Sequence, residues 1–158
     1  MTVGEVMTTP VAVCRTQTTL ADATALMWDH DCGVLPVVND LGELSGMVTD
    51  RDICIALGTR NARAADLLVS DVIGNHTLFC SSSDDVVLAL KTMRAGRMRR
   101  LPVVDHRIGK LEGILSMDDL VLKAIDGRSE SVMATDLADT LKVIYAHADE
   151  PTVHAATA

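Results

Sequence analysis

Aromatic residues are almost missing from this 158-residue sequence, in which one Phe, one Trp and one Tyr make up 2% of the chain. Apolar residues still account for 48%, so a core has to be built from aliphatic, alanine and methionine side chains. No apolar run approaches the roughly 20 residues that a membrane-spanning helix requires. The opening residues, MTVGEVMTTP, lack the basic and apolar regions of a secretory signal. We therefore expect a cytoplasmic globular protein.

Positive charge is scarce as well, because 14 Lys and Arg residues face 22 Asp and Glu residues, for a net charge of −8. Nucleic-acid binding depends on clustered Lys and Arg, and anionic membrane surfaces attract the same residues. The composition thus argues against nucleic acid and membrane as partners. A phosphorylated small molecule is still compatible with it, provided that a few basic residues converge.

Motifs for metal binding and catalysis are also missing. The four cysteines, Cys14, Cys32, Cys54 and Cys80, include no C-x-x-C pair, so buried reduced thiols are favoured over a disulfide framework or a zinc site. The sequence shows no Ser–His–Asp or Cys–His arrangement and no Walker loop. We expect neither a metal centre nor an enzyme.

The sequence does contain a long internal repeat. Residues 46–52 read GMVTDRD and residues 113–119 read GILSMDD, each with glycine, two apolar residues, a hydroxyl residue and a closing aspartate. Before these motifs, equivalent residues of the two copies lie 66 positions apart. One extra residue in the second copy then increases the separation to 67 positions. The matched pairs include Cys14/Cys80, Met27/Met93, Leu35/Leu101, Pro36/Pro102, Gly46/Gly113, Thr49/Ser116 and Asp52/Asp119. The chain is therefore a tandem duplication.

Each copy predicts a short helical lead-in and then strand, helix, strand, strand and helix. The first copy predicts these at 2–7, 11–15, 19–31, 34–40, 44–49 and about 50–57. The second predicts them at 66–73, 77–80, 84–96, 100–106, 111–116 and about 117–126. Helical spacing predicts one more helix over 131–147, followed by a disordered end. We divide the chain into repeat 1 (1–62), repeat 2 (63–127) and a C-terminal helix with a flexible tail (128–158).

One repeat of about 60 residues exposes a large surface relative to its core and would be marginal alone. Two repeats can bury their sheet faces against each other. A pseudo-twofold pair with equivalent clefts between the halves follows from this packing.

The lead-in ending in EVMT, the stretch GVLPVVND.GELSGMVTDRDI and the second stretch RRLPVVD...GKLEGILSMDDL resemble two CBS domains, named after cystathionine β-synthase. The resemblance covers about residues 1–126, and such a tandem pair is called a Bateman module. It implies an α/β fold of two β-α-β-β-α repeats packed through their sheets with pseudo-twofold symmetry, plus the C-terminal helix. It also implies a regulatory binder that forms homodimers. Many members bind AMP, ADP, ATP or S-adenosylmethionine in the clefts, and others bind different nucleotides, metal ions or nothing known.

The resemblance also implies a set of ligand-binding residues. Asp52 and Asp119 would hold the ribose, and Thr49 and Ser116 would donate a hydroxyl to ribose or phosphate. The first cleft would join Met47, Thr49 and Asp52 to Thr77, Arg99, Arg100 and Leu101. The second would join Ile114, Ser116 and Asp119 to Thr9, Pro10, Val11, Val34 and Leu35. Gly46 and Gly113 would suit a close backbone approach. Helix capping is the alternative explanation for the hydroxyl and carboxylate residues.

Basic residues make the two clefts unequal. The run RAGRMRR (94–100) places Arg97, Arg99 and Arg100 before the second LPVV, whereas the first copy reads DHDCGVL (29–35). Arg is frequently used for phosphate, so we predict that a phosphate tail leans towards Arg99 and Arg100. The Asp52 cleft should then bind more tightly. For Arg94 and Arg97, a solvated helix end is an equally good explanation.

Two functions follow from these observations. The first is a stand-alone regulator that binds an adenosyl ligand between its repeats and signals to an unidentified partner protein. The alternative is a ligand-free structural or redox-responsive scaffold that acts through its dimer surface, its C-terminal helix or the Cys14 and Cys80 thiols.

Overall fold

The computed structural model describes residues 1–74, 77–125 and 131–146. Repeat 1 comprises α1 (Leu20–Asp29), β1 (Val34–Val38), β2 (Leu44–Thr49) and α2 (Asp50–Arg60). Repeat 2 comprises α3 (Val86–Gly96), β3 (Arg100–Val104), β4 (Leu111–Ser116) and α4 (Met117–Ile125), and α5 (Ser131–Tyr145) follows. Short 3₁₀ turns occupy Val3–Glu5, Ala64–Asp66 and Val69–Asp71. This mixed α/β arrangement of two like halves and a C-terminal helix confirms the predicted fold class.

Each repeat contains an antiparallel hairpin with the same register. Val37 lies opposite Gly46 in the first hairpin, and Val103 lies opposite Gly113 in the second. The hairpin turns place Gly42 at φ 78° and Gly109 at φ 68°, a backbone region that glycine adopts without steric cost. The two turns meet, because the Leu44 amide donates to the Gly109 carbonyl and the Leu111 amide donates to the Gly42 carbonyl, each at 3.1 Å. These reciprocal bonds reflect the pseudo-twofold relation of the repeats.

The predicted strands at 11–15 and 77–80 were wrong in extent. Each segment makes a single parallel bridge, Cys14 to Val37 and Cys80 to Val103. The Cys14 amide donates to the Pro36 carbonyl at 3.0 Å and its carbonyl accepts from the Val38 amide at 2.9 Å. The next bond of such a ladder would need an N–H group from Pro36, which proline lacks. Pro102 limits the second copy in the same way.

The two lead-ins are exchanged between the repeats. The Val3 amide donates to the Asp84 carbonyl at 2.9 Å, and Val3, fully buried, belongs to the core of repeat 2. Reciprocally, the Val69 amide donates to the Thr18 carbonyl at 2.8 Å, and Val69, also fully buried, belongs to the core of repeat 1. The division at residue 62 separates the copies along the sequence, but each core draws one turn from the other copy.

Helix α5 packs against α3 and α4. Leu137 is buried and joins the core of repeat 2, and the partly buried Leu141 and Ile144 pack against the same core. The predicted helix over 131–147 ends at Tyr145, and the predicted disordered end lies outside the described residues. Within the described ranges, no helix has the length and apolar character needed to cross a membrane.

Candidate functional site

A first cleft of about 430 Å³ opens between the two repeats. Repeat 1 contributes Met47 and Thr49 from β2, where the side chains of alternate residues face the same side. Repeat 2 contributes Thr77 and the arginines just before and at the start of β3, and α5 contributes Ile144. Of the residues predicted for this cleft, the following line it: Met47, Thr49, Thr77, Arg99 and Arg100. Val34, which was predicted for the other cleft, lines this one as well.

A second cleft of about 380 Å³ lies on the pseudo-equivalent side. Ile114 and Ser116 of β4 occupy the positions that Met47 and Thr49 hold in the first cleft, and Asp119 lies on the first turn of α4. The segment after the first lead-in forms the opposite wall. Among the residues predicted for this cleft, those that line it are Ile114, Ser116, Asp119, Pro10, Val11 and Val34.

The Ser116–Asp119 pair combines helix capping with a place in the second cleft. Asp119 Oδ2 accepts from the Ser116 amide at 2.8 Å and from Ser116 Oγ at 2.6 Å, while the Asp119 amide donates to Ser116 Oγ at 3.1 Å. Asp119 Oδ1 accepts from Thr8 Oγ1 at 3.1 Å. The half-buried carboxylate is therefore fixed at the start of α4 by both repeats, beside the open space of the cleft.

The Thr49–Asp52 pair forms the same cap at the start of α2. Asp52 Oδ2 accepts from the Thr49 amide at 2.9 Å and from Thr49 Oγ1 at 2.7 Å. The lining of the first cleft includes Thr49, Asp50 and Arg51 but not Asp52. The expected ribose contact from Asp52 therefore requires its side chain to turn towards the cleft, whereas Asp119 already borders its own.

The arginines of the 94–100 run lie differently from one another. Arg100 lines both clefts, and its Nη2 lies 3.6 Å from Asp118 Oδ2. Arg99 Nη1 donates to the Tyr145 hydroxyl at 3.3 Å. Arg97 Nη2 donates to the Ala146 carbonyl at 3.3 Å. Arg97 also lines the first cleft, so it is more than a solvated helix end.

The charges around the two clefts differ in sign. The first is lined by four arginines and one aspartate, Arg51, Arg97, Arg99, Arg100 and Asp50. The second is lined by one arginine and three aspartates, Arg100, Asp31, Asp118 and Asp119. An anion is therefore attracted more strongly to the first cleft. The tighter binding expected there stays a prediction.

The motif glycines allow close packing between the repeats, and the close ligand approach expected for them stays a prediction. A Cβ on Gly113 would lie 2.7 Å from the Thr8 carbonyl oxygen, closer than real Cβ contacts come. A Cβ on Gly46 would lie 3.3 Å from Ile73 Cδ1. Ile73 belongs to the second lead-in, and Thr8 directly follows the first. Glycine at these positions lets each lead-in lie against the other copy's hairpin.

The CBS-domain family model matches residues 3–59 and 66–126, which contain both hairpins, both caps and the walls of both clefts apart from Ile144. The chain belongs to the CBS-domain family.

Relatives of known name or structure support the assignment. The chain is 32% identical over 136 residues to the CBS domain-containing protein YhcV of Bacillus subtilis, covering 86% of this chain and 94% of that protein. It resembles the crystal structure of CBSX2 in complex with AMP at 30% identity and a TM-score of 0.70, covering 81% of this chain and 98% of the other. It also shares its fold with the CBS domain pair of MJ0100 in complex with 5-methylthioadenosine and S-adenosyl-L-methionine, at 19% identity and a TM-score of 0.71 over 82% and 98% of the two chains.

Besides Asp52, three residues predicted for the CBS clefts line neither of them. Leu35 and Leu101 are fully buried, each in the core of its own repeat, and line neither cleft. Thr9 donates from Oγ1 to the Glu112 carbonyl at 2.9 Å, and Thr8 lines the second cleft instead. The alternation of side chains along β1 and β3 could have indicated that Leu35 and Leu101 face away from the clefts, because side chains two residues apart lie on the same face of a strand. Pro36 and Pro102 accordingly line the clefts.

The thiols of this CBS pair divide into buried and accessible groups. Burial raises the pKa of Cys14 to about 11. For Cys80, burial together with the nearby negative charge of Asp84 raises the pKa to about 12. Both thiols remain protonated near neutral pH and are therefore poor nucleophiles. Cys54 is exposed and Cys32 is partly exposed. In the described part of the chain, no group of three or more His, Cys, Asp or Glu side chains could hold a metal ion.

Alkylation should follow this division. Iodoacetamide at pH 8 is expected to label Cys54 rapidly and Cys32 more slowly, while Cys14 and Cys80 react only after urea unfolds the protein. Peptide mass spectrometry of native and unfolded samples measures the difference. Rapid labelling of Cys14 or Cys80 in the native protein would contradict their burial and would favour a redox role.

Proposed function

We propose that this CBS pair is a non-catalytic regulatory module that binds an adenosyl ligand between its repeats and signals to a partner protein. The observation that carries the proposal is the pair of equivalent clefts, each with a hydroxyl residue at the N-terminus of a helix. AMP in the CBSX2 structure supports an adenine nucleotide, since that relative is 30% identical to this chain. ADP, ATP and S-adenosylmethionine remain within the proposal because they share the adenosyl group.

Each part of an adenosyl ligand finds a complementary surface in the clefts. Apolar side chains such as Met47 and Pro102 in the first cleft, or Ile114 and Pro36 in the second, offer contacts for adenine. A carboxylate can accept hydrogen bonds from two neighbouring ribose hydroxyls. The first amides of α2 and α4, together with the arginines, favour the phosphate. The first cleft accordingly suits the more highly charged nucleotides.

Ligand binding would act by bridging the two repeats. A ligand held by both walls favours the relative orientation in which both walls fit it, and only such a difference in affinity can shift the population. We place the signal at a homodimer or partner surface. The exposed apolar side chains Trp28 and Ile55, on α1 and α2, support an interface there.

A thermal-shift panel of AMP, ADP, ATP, S-adenosylmethionine and NAD tests the proposed function. A ligand at 100 times its Kd stabilises the folded state by about 2.7 kcal/mol, and we expect at least one adenosyl compound to raise the Tm clearly. If none of them changes the Tm at millimolar concentration, the ligand-free scaffold becomes the better explanation.

The ribose assignment has a sharper test in Asp119→Ala. Loss of a charge-assisted hydrogen-bonding partner worth about 1.5–3 kcal/mol should weaken binding by about 10- to 100-fold in calorimetry. Asp22→Ala is the matched control, because Asp22 accepts from Thr19 Oγ1 at 2.7 Å in a similar cap at the start of α1 and lines neither cleft. Asp52→Ala, measured in parallel, reports on the first cleft. Equal affinities in the Asp119 and Asp22 variants would show that the carboxylate only caps its helix.

A further inference from the structure

Helix α5 reaches the first cleft and engages the basic residues beside it. Its Ile144 side chain lines the cleft, and the Arg99 guanidinium lies 6.0 Å from the centre of the Tyr145 ring while donating to the Tyr145 hydroxyl. Arg97 donates to the Ala146 carbonyl at 3.3 Å, just beyond the last turn of α5. Cations at the C-terminal end of a helix are stabilising, so these arginines help to hold α5 in place.

The middle of α5 is held independently of the cleft. Arg94 Nη2 donates to Thr140 Oγ1 at 3.2 Å and to the Asp136 carbonyl at 3.3 Å, and Leu137 is buried in the core of repeat 2. The last turn differs, because Tyr145 is 58% exposed and its polar contact is with an arginine that faces the cleft. The last turn can therefore lose this contact while the rest of the helix stays docked.

The second cleft has no counterpart of this arrangement among the residues that the structure describes. The positions equivalent to Arg97 and Met98 are Asp31 and Cys32, which line the second cleft without any α5 residue beside them. The contact is thus a difference between the two halves of an otherwise duplicated module.

We propose that the last turn of α5, through Tyr145, competes with a ligand's phosphate for Arg99, so that occupancy of the first cleft is coupled to the docking of this turn. The inference rests on the proposed function and identifies the last turn of α5 as the element that responds to ligand binding. A guanidinium–phosphate contact pairs two opposite charges and can be bidentate, whereas the Tyr145 phenol oxygen is a single neutral acceptor, so Arg99 binds phosphate more strongly than it binds Tyr145. A phosphorylated ligand therefore takes Arg99 from Tyr145, whereas an uncharged nucleoside leaves that contact in place.

Tyr145→Phe tests the competition without removing the ring. Wild-type protein and variant are titrated with AMP and with adenosine by calorimetry. We expect the variant to bind AMP about 2- to 10-fold more tightly, the effect of removing one competing hydrogen bond, and to bind adenosine with unchanged affinity. Thr135→Val, at an exposed position in the first part of the same helix, is the control and should change neither affinity.

The reciprocal effect can be observed directly. The chain contains a single tyrosine, so 3-fluorotyrosine labelling gives one fluorine resonance that reports on Tyr145. Saturating AMP should shift this resonance more than saturating adenosine does. Equal AMP affinities in wild type and Tyr145→Phe, or equal shifts with both ligands, would overturn the coupling while leaving the proposed function intact. Failure of wild type to bind AMP, adenosine or any other adenosyl compound of the panel would overturn both.

Discussion

Leu101→Ala is expected to lower the free energy of unfolding by about 2–5 kcal/mol, the usual cost of removing a fully buried leucine side chain. Leu101 packs in the core of repeat 2 with Leu90, Met93 and Leu115 and has no exposed surface. The lost transfer free energy and the cavity that remains add together, because the surrounding side chains collapse only partly. Urea unfolding followed by circular dichroism measures the change.

Leu41→Ala provides the comparison for Leu101→Ala. Leu41 lies in the hairpin turn of repeat 1 and is 67% exposed, so its truncation should change stability by less than about 0.5 kcal/mol. The AMP affinity of folded Leu101→Ala should equal that of wild type, because the side chain lines neither cleft. A large loss of affinity with little loss of stability would instead place Leu101 in the binding site.

Val3→Ala and Val69→Ala should destabilise opposite repeats, each by about 2–3 kcal/mol. Each change removes roughly two methylene equivalents at about 0.8 kcal/mol apiece and leaves a cavity in a close-packed core. Val3 lies in the core of repeat 2 and Val69 in the core of repeat 1. Amide hydrogen exchange, which reports local opening, should therefore accelerate in β3 and β4 for Val3→Ala. For Val69→Ala it should accelerate in β1 and β2.

The two valine variants control for each other because they stand at equivalent positions of the two copies. Faster exchange of β1 and β2 in Val3→Ala, with β3 and β4 unaffected, would show that each lead-in packs on its own repeat. Equal acceleration of both hairpins in both variants would show that the repeats open as one unit.

Features that depend on neighbouring residues could be predicted from the sequence. The hairpins follow from apolar runs closed by turns with Gly42 and Gly109, and the predicted limits of β2 and β4 are those observed. The caps follow from a hydroxyl residue three positions before an aspartate at a strand-to-helix turn. The strands at 11–15 and 77–80 failed because their ladders depend on a distant partner strand, in which a proline removes the required donor.

Side-chain direction was less predictable than element type. Arg99, Arg100 and Leu101 were all assigned to the first cleft. In the structure Arg99 lines this cleft and contacts α5, Arg100 lines both clefts, and Leu101 faces the core. Thr8 and Ile144 were missed, although both line a cleft. Thr8 directly precedes Thr9, the first residue that was predicted for this wall of the second cleft. Nothing in the sequence indicated that Ile144 lines a cleft. Its place in the apolar spacing of the helix predicts that it packs, but does not identify the surface against which it packs.

The sequence by itself determined the duplication, the order of helices and strands within each copy, the two caps and the scarcity of cations outside one short run. These features depend on periodicity and on contacts between residues close in the chain. Tertiary structure alone decided which core each lead-in enters, because Val3 and Val6 repeat the pattern of Val69 and Val72 and the pattern is the same for both cores. It also decided that α5 lies against the more basic cleft, since that contact joins residues more than forty positions apart.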